Sequence, residues 1–156
     1  MRIVFVCIGN VCRSPSAEIV LKDMLHGVGQ EDVEVWSAGV QVKHGEPVDP
    51  VSLEVLTANG YDGASAGSQP FAWGWADTAD LILPMDSFTR SILRIRITDK
   101  SLHKKIRSFA DFCPGVTNPD IFNPWGHERV IYESVFQTIE QGCAGIMEGI
   151  QYGRLG

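Results

Sequence analysis

Residues 2–15 constrain this chain more than any other stretch. They read Arg2-Ile3-Val4-Phe5-Val6, then Cys7-Ile8-Gly9-Asn10-Val11-Cys12-Arg13-Ser14-Pro15. The β-branched and aromatic run predicts a buried strand, and Gly9-Asn10 ends it. Helix signals follow at once. Ser14 suits an N-cap, Pro15 the first helical position and Glu18 the first turn. Ala17, Val20, Leu21, Met24 and Leu25 then recur at helical spacing until Gly27 and Gly29.

The same alternation continues along the chain. Val33 to Trp36 predicts a second strand, ended by Ser37-Ala38-Gly39, and Asp49-Pro50 opens a helix that Asn59-Gly60 stops. Leu81-Ile82-Leu83 predicts a third strand, Phe88 to Arg94 a helix and Lys105 to Phe109 a short further strand. Phe112 to Gly126 carries Pro114, Gly115, Pro119, Pro124 and Gly126 and predicts a long surface loop; Glu128 to Ile150 predicts a closing helix. The expected fold is a three-layer α/β domain over residues 1–156. It has a central four-stranded parallel sheet flanked by helices on both faces, with a phosphate-binding loop after the first strand. Ligands in such folds bind beyond the C-terminal ends of the strands, which directs attention to Cys7–Ser14.

Composition narrows the partners. The chain has 156 residues, 13 Lys and Arg against 19 Asp and Glu, and a formal charge of −6. That balance argues against nucleic acid or an anionic membrane as the main partner. No segment reaches the length of a membrane helix, and the short apolar N-terminus does not resemble an export signal, so a cytoplasmic location is expected. Cys7, Cys12, Cys113 and Cys143 are then expected as reduced thiols, and Cys113 and Cys143 as buried, inert ones. His26, His44, His103 and His127 are scattered without ligand spacing, so neither metal nor other cofactor is expected.

Strand, tight loop and helix start together form an anion trap. Backbone N–H groups converge, and the helix dipole adds positive potential. Gly9 allows close backbone approach, Asn10 tolerates positive φ, and the Arg13 fork grips two oxygens of a tetrahedral anion. A cysteine at the mouth of such a loop has its thiolate stabilised, and Ser14 adds a donor. Nucleophile and phosphate cradle within eight residues point to phosphoryl transfer through a cysteinyl-phosphate. Neither GxGxxG nor GxxxxGK[ST] is present, so nucleotide readings fall away.

Val6 to Glu18 resembles the signature of the low-molecular-weight protein tyrosine phosphatases. Ser37-Ala38-Gly39, Gly45 to Pro50, Ala79 to Asp86 and the final helix follow in family order. The resemblance implies Cys7 as nucleophile, Arg13 with the amides of Ile8, Gly9, Asn10, Val11 and Cys12 as phosphate binders, and Ser14 as thiolate stabiliser. It implies that Asn10 holds the loop, with Ser37 as partner, that Cys12 forms a reversible disulfide with Cys7, and that Trp125 lies on the substrate rim. Lys43 and His44 could also face the substrate. The expected partner is a phosphorylated protein, met by a monomer or weak homodimer.

Two departures stand out. Family members carry an Asp-Pro-aromatic motif whose aspartic acid protonates the leaving oxygen, whereas this chain has Asn123-Pro124-Trp125. General acid catalysis is worth about 10²–10⁴-fold, so turnover is expected to be reduced, most of all for poor leaving groups. Asp120, Glu128 and His127 are the neighbouring groups that could substitute. Secondly, Ser65-Ala66-Gly67-Ser68 lacks the histidine that braces the loop asparagine in the family. Val11 favours phosphotyrosine over phosphoarginine, for which related enzymes place threonine there. The alternatives are a pseudophosphatase that binds phosphate without turnover, for which Asn123 argues, and a thiol-dependent arsenate reductase. The latter would need a closely spaced downstream cysteine pair, unlike Cys113 and Cys143. Around Phe71-Ala72-Trp73-Gly74-Trp75, core packing is preferred over a cleft.

Overall fold

The computed structural model describes residues 1–43, 45–63 and 67–155. Its elements are β1 (Arg2–Cys7), α1 (Arg13–Gly27), β2 (Glu34–Gly39), α2 (Pro50–Ala58), α3 (Trp75–Thr78), β3 (Leu81–Pro84), α4 (Ser87–Arg96) and α5 (Arg129–Gln151). Short 3₁₀ turns span Lys100–Lys105 and Phe109–Phe112.

The described strands form a parallel sheet in the order β2-β1-β3. β1 is central and buried from Ile3 to Cys7, as expected of a strand covered on both faces, which accounts for its unbroken apolar run. Alternate side chains divide the core. Ile3 and Phe5 pack with Ala17, Val20 and Leu21 of α1 and Ile139 of α5, while Val4 and Val6 meet Phe71, Ala76 and Leu93 on the other face. Phe5 is fully buried and meets the Phe109 ring edge-on at 5.7 Å. Truncating such a side chain to alanine costs about 3–5 kcal/mol.

Among the described residues the sheet has three strands, not the four expected. The segment expected as a fourth strand makes a single parallel bridge, Ile106 with Ile82, and one bond from Arg107 N to Ile82 O. A 3₁₀ turn delivers the chain to Ile106, and another begins at Phe109, whose ring turns into the core instead of extending a ladder.

Ser14 does not cap α1. The helix begins at Arg13, so Ser14 lies inside its first turn with its hydroxyl committed to the loop below, and the capping position, Cys12, makes no side-chain cap bond. Asp49 does cap α2, accepting from Val51 N and Ser52 N. The Phe71–Trp75 aromatics are core: Trp73 and Trp75 both meet the buried Phe71 ring, and Trp75 also meets Trp36.

Candidate active site

The loop from Cys7 to Arg13 leaves the C-terminal end of β1 and turns directly into α1. Its carbonyls are spent outward: Cys7 O accepts from Val40 N, Ile8 O from Gln41 N, and Val11 O from Asp49 N. The amides of Ile8, Gly9, Val11 and Cys12 make no hydrogen bond among the described residues, and the first N–H groups of α1 add to this set. Amides turned inward with carbonyls turned outward form an anion-binding nest.

The Cys7 thiol is buried at the mouth of that nest. Asn10 N donates to Cys7 Sγ at 3.2 Å, and Ser14 Oγ lies 3.0 Å from it. Asn10 holds the turn with φ of 54°. Its Nδ2 donates to Ser14 Oγ and Ser37 Oγ at 2.9 Å, and its Oδ1 accepts from Gln69 N. Ser37 donates onward to Glu18. The bracing assigned in the family to a histidine therefore falls here to a backbone amide; Ser65 and Ala66 lie outside the described residues, as does His44.

Arg13 is almost wholly buried. Its Nη1 donates to Asp86 Oδ2 at 2.7 Å and to Ile121 O at 2.8 Å, which leaves Nε and Nη2 for an anion. Asp86 Oδ1 caps α4 through Thr89 N. One carboxylate thus orients the arginine and starts a helix, and neither local spacing nor motif revealed it. Gly39 was equally hidden. A Cβ there would collide with Val42 and stand 2.7 Å from Ile8 O, so a side chain at the end of β2 would push the loop out of shape. At Gly9 a Cβ would make only ordinary contact with the protein, so among these two glycines it is Gly39 that the packing of the loop requires.

A cleft of about 340 Å³ opens over the loop, lined by Cys7, Arg13, Lys43, Glu46, Asn123 and Trp125, with Ile8, Gly9, Val11, Cys12 and Gln41 beneath and beside them. Asn123 Oδ1 accepts from Trp125 N at 3.3 Å, and the Tyr132 hydroxyl accepts from Gly126 N. None of the expected substitute acids lines this cleft. Asp120 Oδ1 accepts from Ser87 N and Ser87 Oγ, both at 2.6 Å, and these bonds lower its pKa. The His127 ring meets the Phe122 edge at 5.1 Å, and Glu128 precedes α5. Glu46, in the β2–α2 loop, is a carboxylate that was not expected as a site residue, and it lines the cleft.

The other three thiols are as buried as Cys7 but do not share its contacts with Asn10 N and Ser14 Oγ. Desolvation pushes Cys12 up to about 12, against a hydrogen bond from Ser52, and Cys113 up to about 11. Cys143, fully enclosed between α5 and α1, is raised as well. All four are free, and Cys113 and Cys143 are buried as expected.

The family pattern for low molecular weight phosphotyrosine protein phosphatases matches residues 2–154. A low molecular weight protein-tyrosine-phosphatase of Streptomyces coelicolor is 30% identical over 155 residues, covering 96% of this chain and 93% of the relative. Among solved structures, a protein tyrosine phosphatase from Entamoeba histolytica, with Hepes in its active site, superposes with a TM-score of 0.91 at 26% identity, covering 99% of both chains. An arginine phosphatase from Geobacillus stearothermophilus superposes with a TM-score of 0.86 at 29% identity, covering 99% of this chain and 95% of its own. The chain therefore belongs to the low molecular weight protein tyrosine phosphatase family and is a phosphatase.

Proposed function

We propose that the chain hydrolyses phosphotyrosine-like monoesters on proteins through a cysteinyl-phosphate on Cys7, with turnover limited by Asn123. The observation that carries this reading is the buried Cys7 thiol, held by Asn10 N and Ser14 Oγ at the mouth of inward-facing amides beside Arg13. Cys7 Sγ attacks phosphorus, the S–P bond forms, and the bond to the tyrosyl oxygen breaks. Arg13 Nε and Nη2, with the loop amides, stabilise the equatorial oxygens as charge shifts onto them. Water then attacks phosphorus, the S–P bond breaks, and phosphate leaves with the thiolate restored.

The leaving oxygen needs a proton that the Asn123 amide cannot supply. Glu46, whose carboxyl group lines the cleft, is the source we assign, giving its proton to the leaving oxygen and recovering one from the water that then attacks phosphorus. Trp125, 64% exposed beside Asn123, offers its ring as a wall for a phosphorylated aromatic side chain. Val11 supports tyrosine over arginine as the phosphorylated residue. We place this activity in the cytoplasm, in a monomer or weak homodimer, with a phosphorylated protein as partner and neither nucleic acid nor membrane. Free thiols support that location, and no helix among the described residues is long and apolar enough to cross a membrane.

The test compares an activated aryl phosphate with a phosphotyrosine peptide, for the wild type, Cys7→Ser and Asn123→Asp. Weak turnover that Cys7→Ser abolishes is expected, with Asn123→Asp improving the peptide rate most. Tight phosphate binding with no turnover of either substrate overturns the reading in favour of a binding protein.

A further inference from the structure

Positive charge in this acidic chain is unevenly spread along the sequence. Residues 90–107 hold seven of its 13 Lys and Arg, beside one carboxylate, Asp99. Among the described residues, none of those seven forms an ion pair. Lys104, Lys105 and Arg107, joined by Arg154 near the C-terminus, line a groove of about 750 Å³ in which Asp80 is the opposing carboxylate. Asp80 already accepts a bond from Arg2 N. The groove reaches Met1 and Leu81, where β1 and β3 begin, whereas Cys7 closes β1. Six strand residues at about 3.3 Å each separate the two sites by about 20 Å.

The cations are partly fixed in place. The Arg107 guanidinium lies over the Phe112 ring at 4.6 Å and that of Arg154 over Tyr152 at 5.0 Å. Lys105 Nζ donates to Ala76 O and Asp77 O at 3.0 Å, which leaves one N–H for a ligand. Forks and amines held this way lose little rotamer freedom when an anion binds.

We propose that this groove is a second anion site, which docks a short acidic segment of a protein partner. Charge complementarity selects an acidic occupant. A short one fits better than a nucleic acid, because a long polyanion would run from the groove onto the negative remainder of the chain. Among the described residues, no aromatic side chain lines the groove to stack a base.

The test is fluorescence anisotropy with a labelled glutamate oligopeptide of about six residues, titrated at low and at physiological salt. Saturable binding that weakens with salt is expected, and Lys104→Glu/Arg107→Glu/Arg154→Glu should weaken it tenfold or more. Lys22→Glu on α1 should leave it unchanged, as should inorganic phosphate at concentrations that fill the Cys7 loop. Turnover of an activated aryl phosphate should be the same in the triple variant, which reports its folding. Should loss of the Arg107 ring contact unfold that variant, Lys104→Glu/Arg154→Glu carries the same test with two exposed residues. Four results overturn the proposal: no binding at physiological salt, equal loss with Lys22→Glu, competition by phosphate, or tighter binding of an RNA oligomer of equal charge.

Discussion

Two loops face each other across the cleft, and they are built differently. The Cys7–Arg13 loop is locked from every side: Asn10 alone bonds to Cys7, Ser14, Ser37 and Gln69, and its side chain is buried. The Asp120–Gly126 loop hangs from Ile121 N on Met85 O, from Asp120 on Ser87, and from Gly126 N on Tyr132, while Phe122 and Trp125 are more than half exposed. In the mechanism proposed above, the locked loop handles phosphate, which is the same for every substrate, and the loose loop meets the leaving group and the surrounding peptide, which vary. Preorganised donors help a transition state only if they do not move, so rigidity belongs on the first side.

The sharpest way to break this contrast is at Asp86, where the locked loop depends on a residue 73 positions away. Asp86→Asn keeps an acceptor for the α4 cap but removes the charge that holds Arg13 Nη1. We expect kcat/KM on any phosphate monoester to fall about 100-fold, equivalent to about 2.7 kcal/mol. Breaking a buried ion pair also costs about 3–5 kcal/mol in stability, so thermal unfolding should report a lowered midpoint. A variant with unchanged kinetics would show that Arg13 is positioned by Ile121 O alone.

On the loose side the largest effect is a gain. In Asn123→Asp the new carboxylate can still accept from Trp125 N, so the loop keeps its path while acquiring an acid. We expect kcat for a phosphotyrosine peptide to rise tenfold or more, at the low end of the range for general acids, with little change for an activated aryl phosphate. A plot of rate against leaving-group pKa should flatten. Equal gains on both substrates would indicate a change in binding instead of proton transfer.

Glu46→Gln asks which acid serves while Asn123 remains. A several-fold loss on the peptide is expected, less on the activated substrate, and none in the Asn123→Asp background, where the proton has another source. Equal losses in both backgrounds would make Glu46 a contact for substrate binding.

How much of this was legible in the sequence follows the same division. The Cys7 loop could be read because its parts are adjacent: strand, turn, nucleophile, arginine and helix start fall within 14 residues of sequence, and Asn10 and Ser37 adopt the pairing that the family resemblance implied. Asp86, Gly39, Gln69 and Glu46 were illegible as site residues because each acts on the loop or cleft across a fold-dependent distance. Gly39 matters only because β2 lies in register with β1 and brings its backbone against Ile8 O. The fourth strand failed for a related reason. Ile106 has the right residue type, but burial of Phe109 against Phe5 takes the chain out of the ladder. Ser14 scored as a cap because local rules see a serine before a proline, not a thiol 3.0 Å away.

The smallest effect belongs to Asp120, where a residue of the loose loop anchors itself to α4. Hydrogen bonds from Ser87 lower its folded pKa below the unfolded value of about 3.9. A group depressed on folding stabilises the protein above its unfolded pKa, and that contribution is lost as pH falls through the folded value. At neutral pH, then, Asp120→Asn should destabilise the chain; below about pH 4 the gap to wild type should shrink as the native carboxylate is protonated. Asp120 is exposed, so solvent screening limits the difference to about 0.5 kcal/mol. Denaturant midpoints measured at pH 7 and near pH 3 check it. A gap that persists or widens in acid would mean that the Ser87 bonds do not depend on charge, and that the loose loop is anchored by neutral hydrogen bonds, as Asn10 anchors the Cys7 loop.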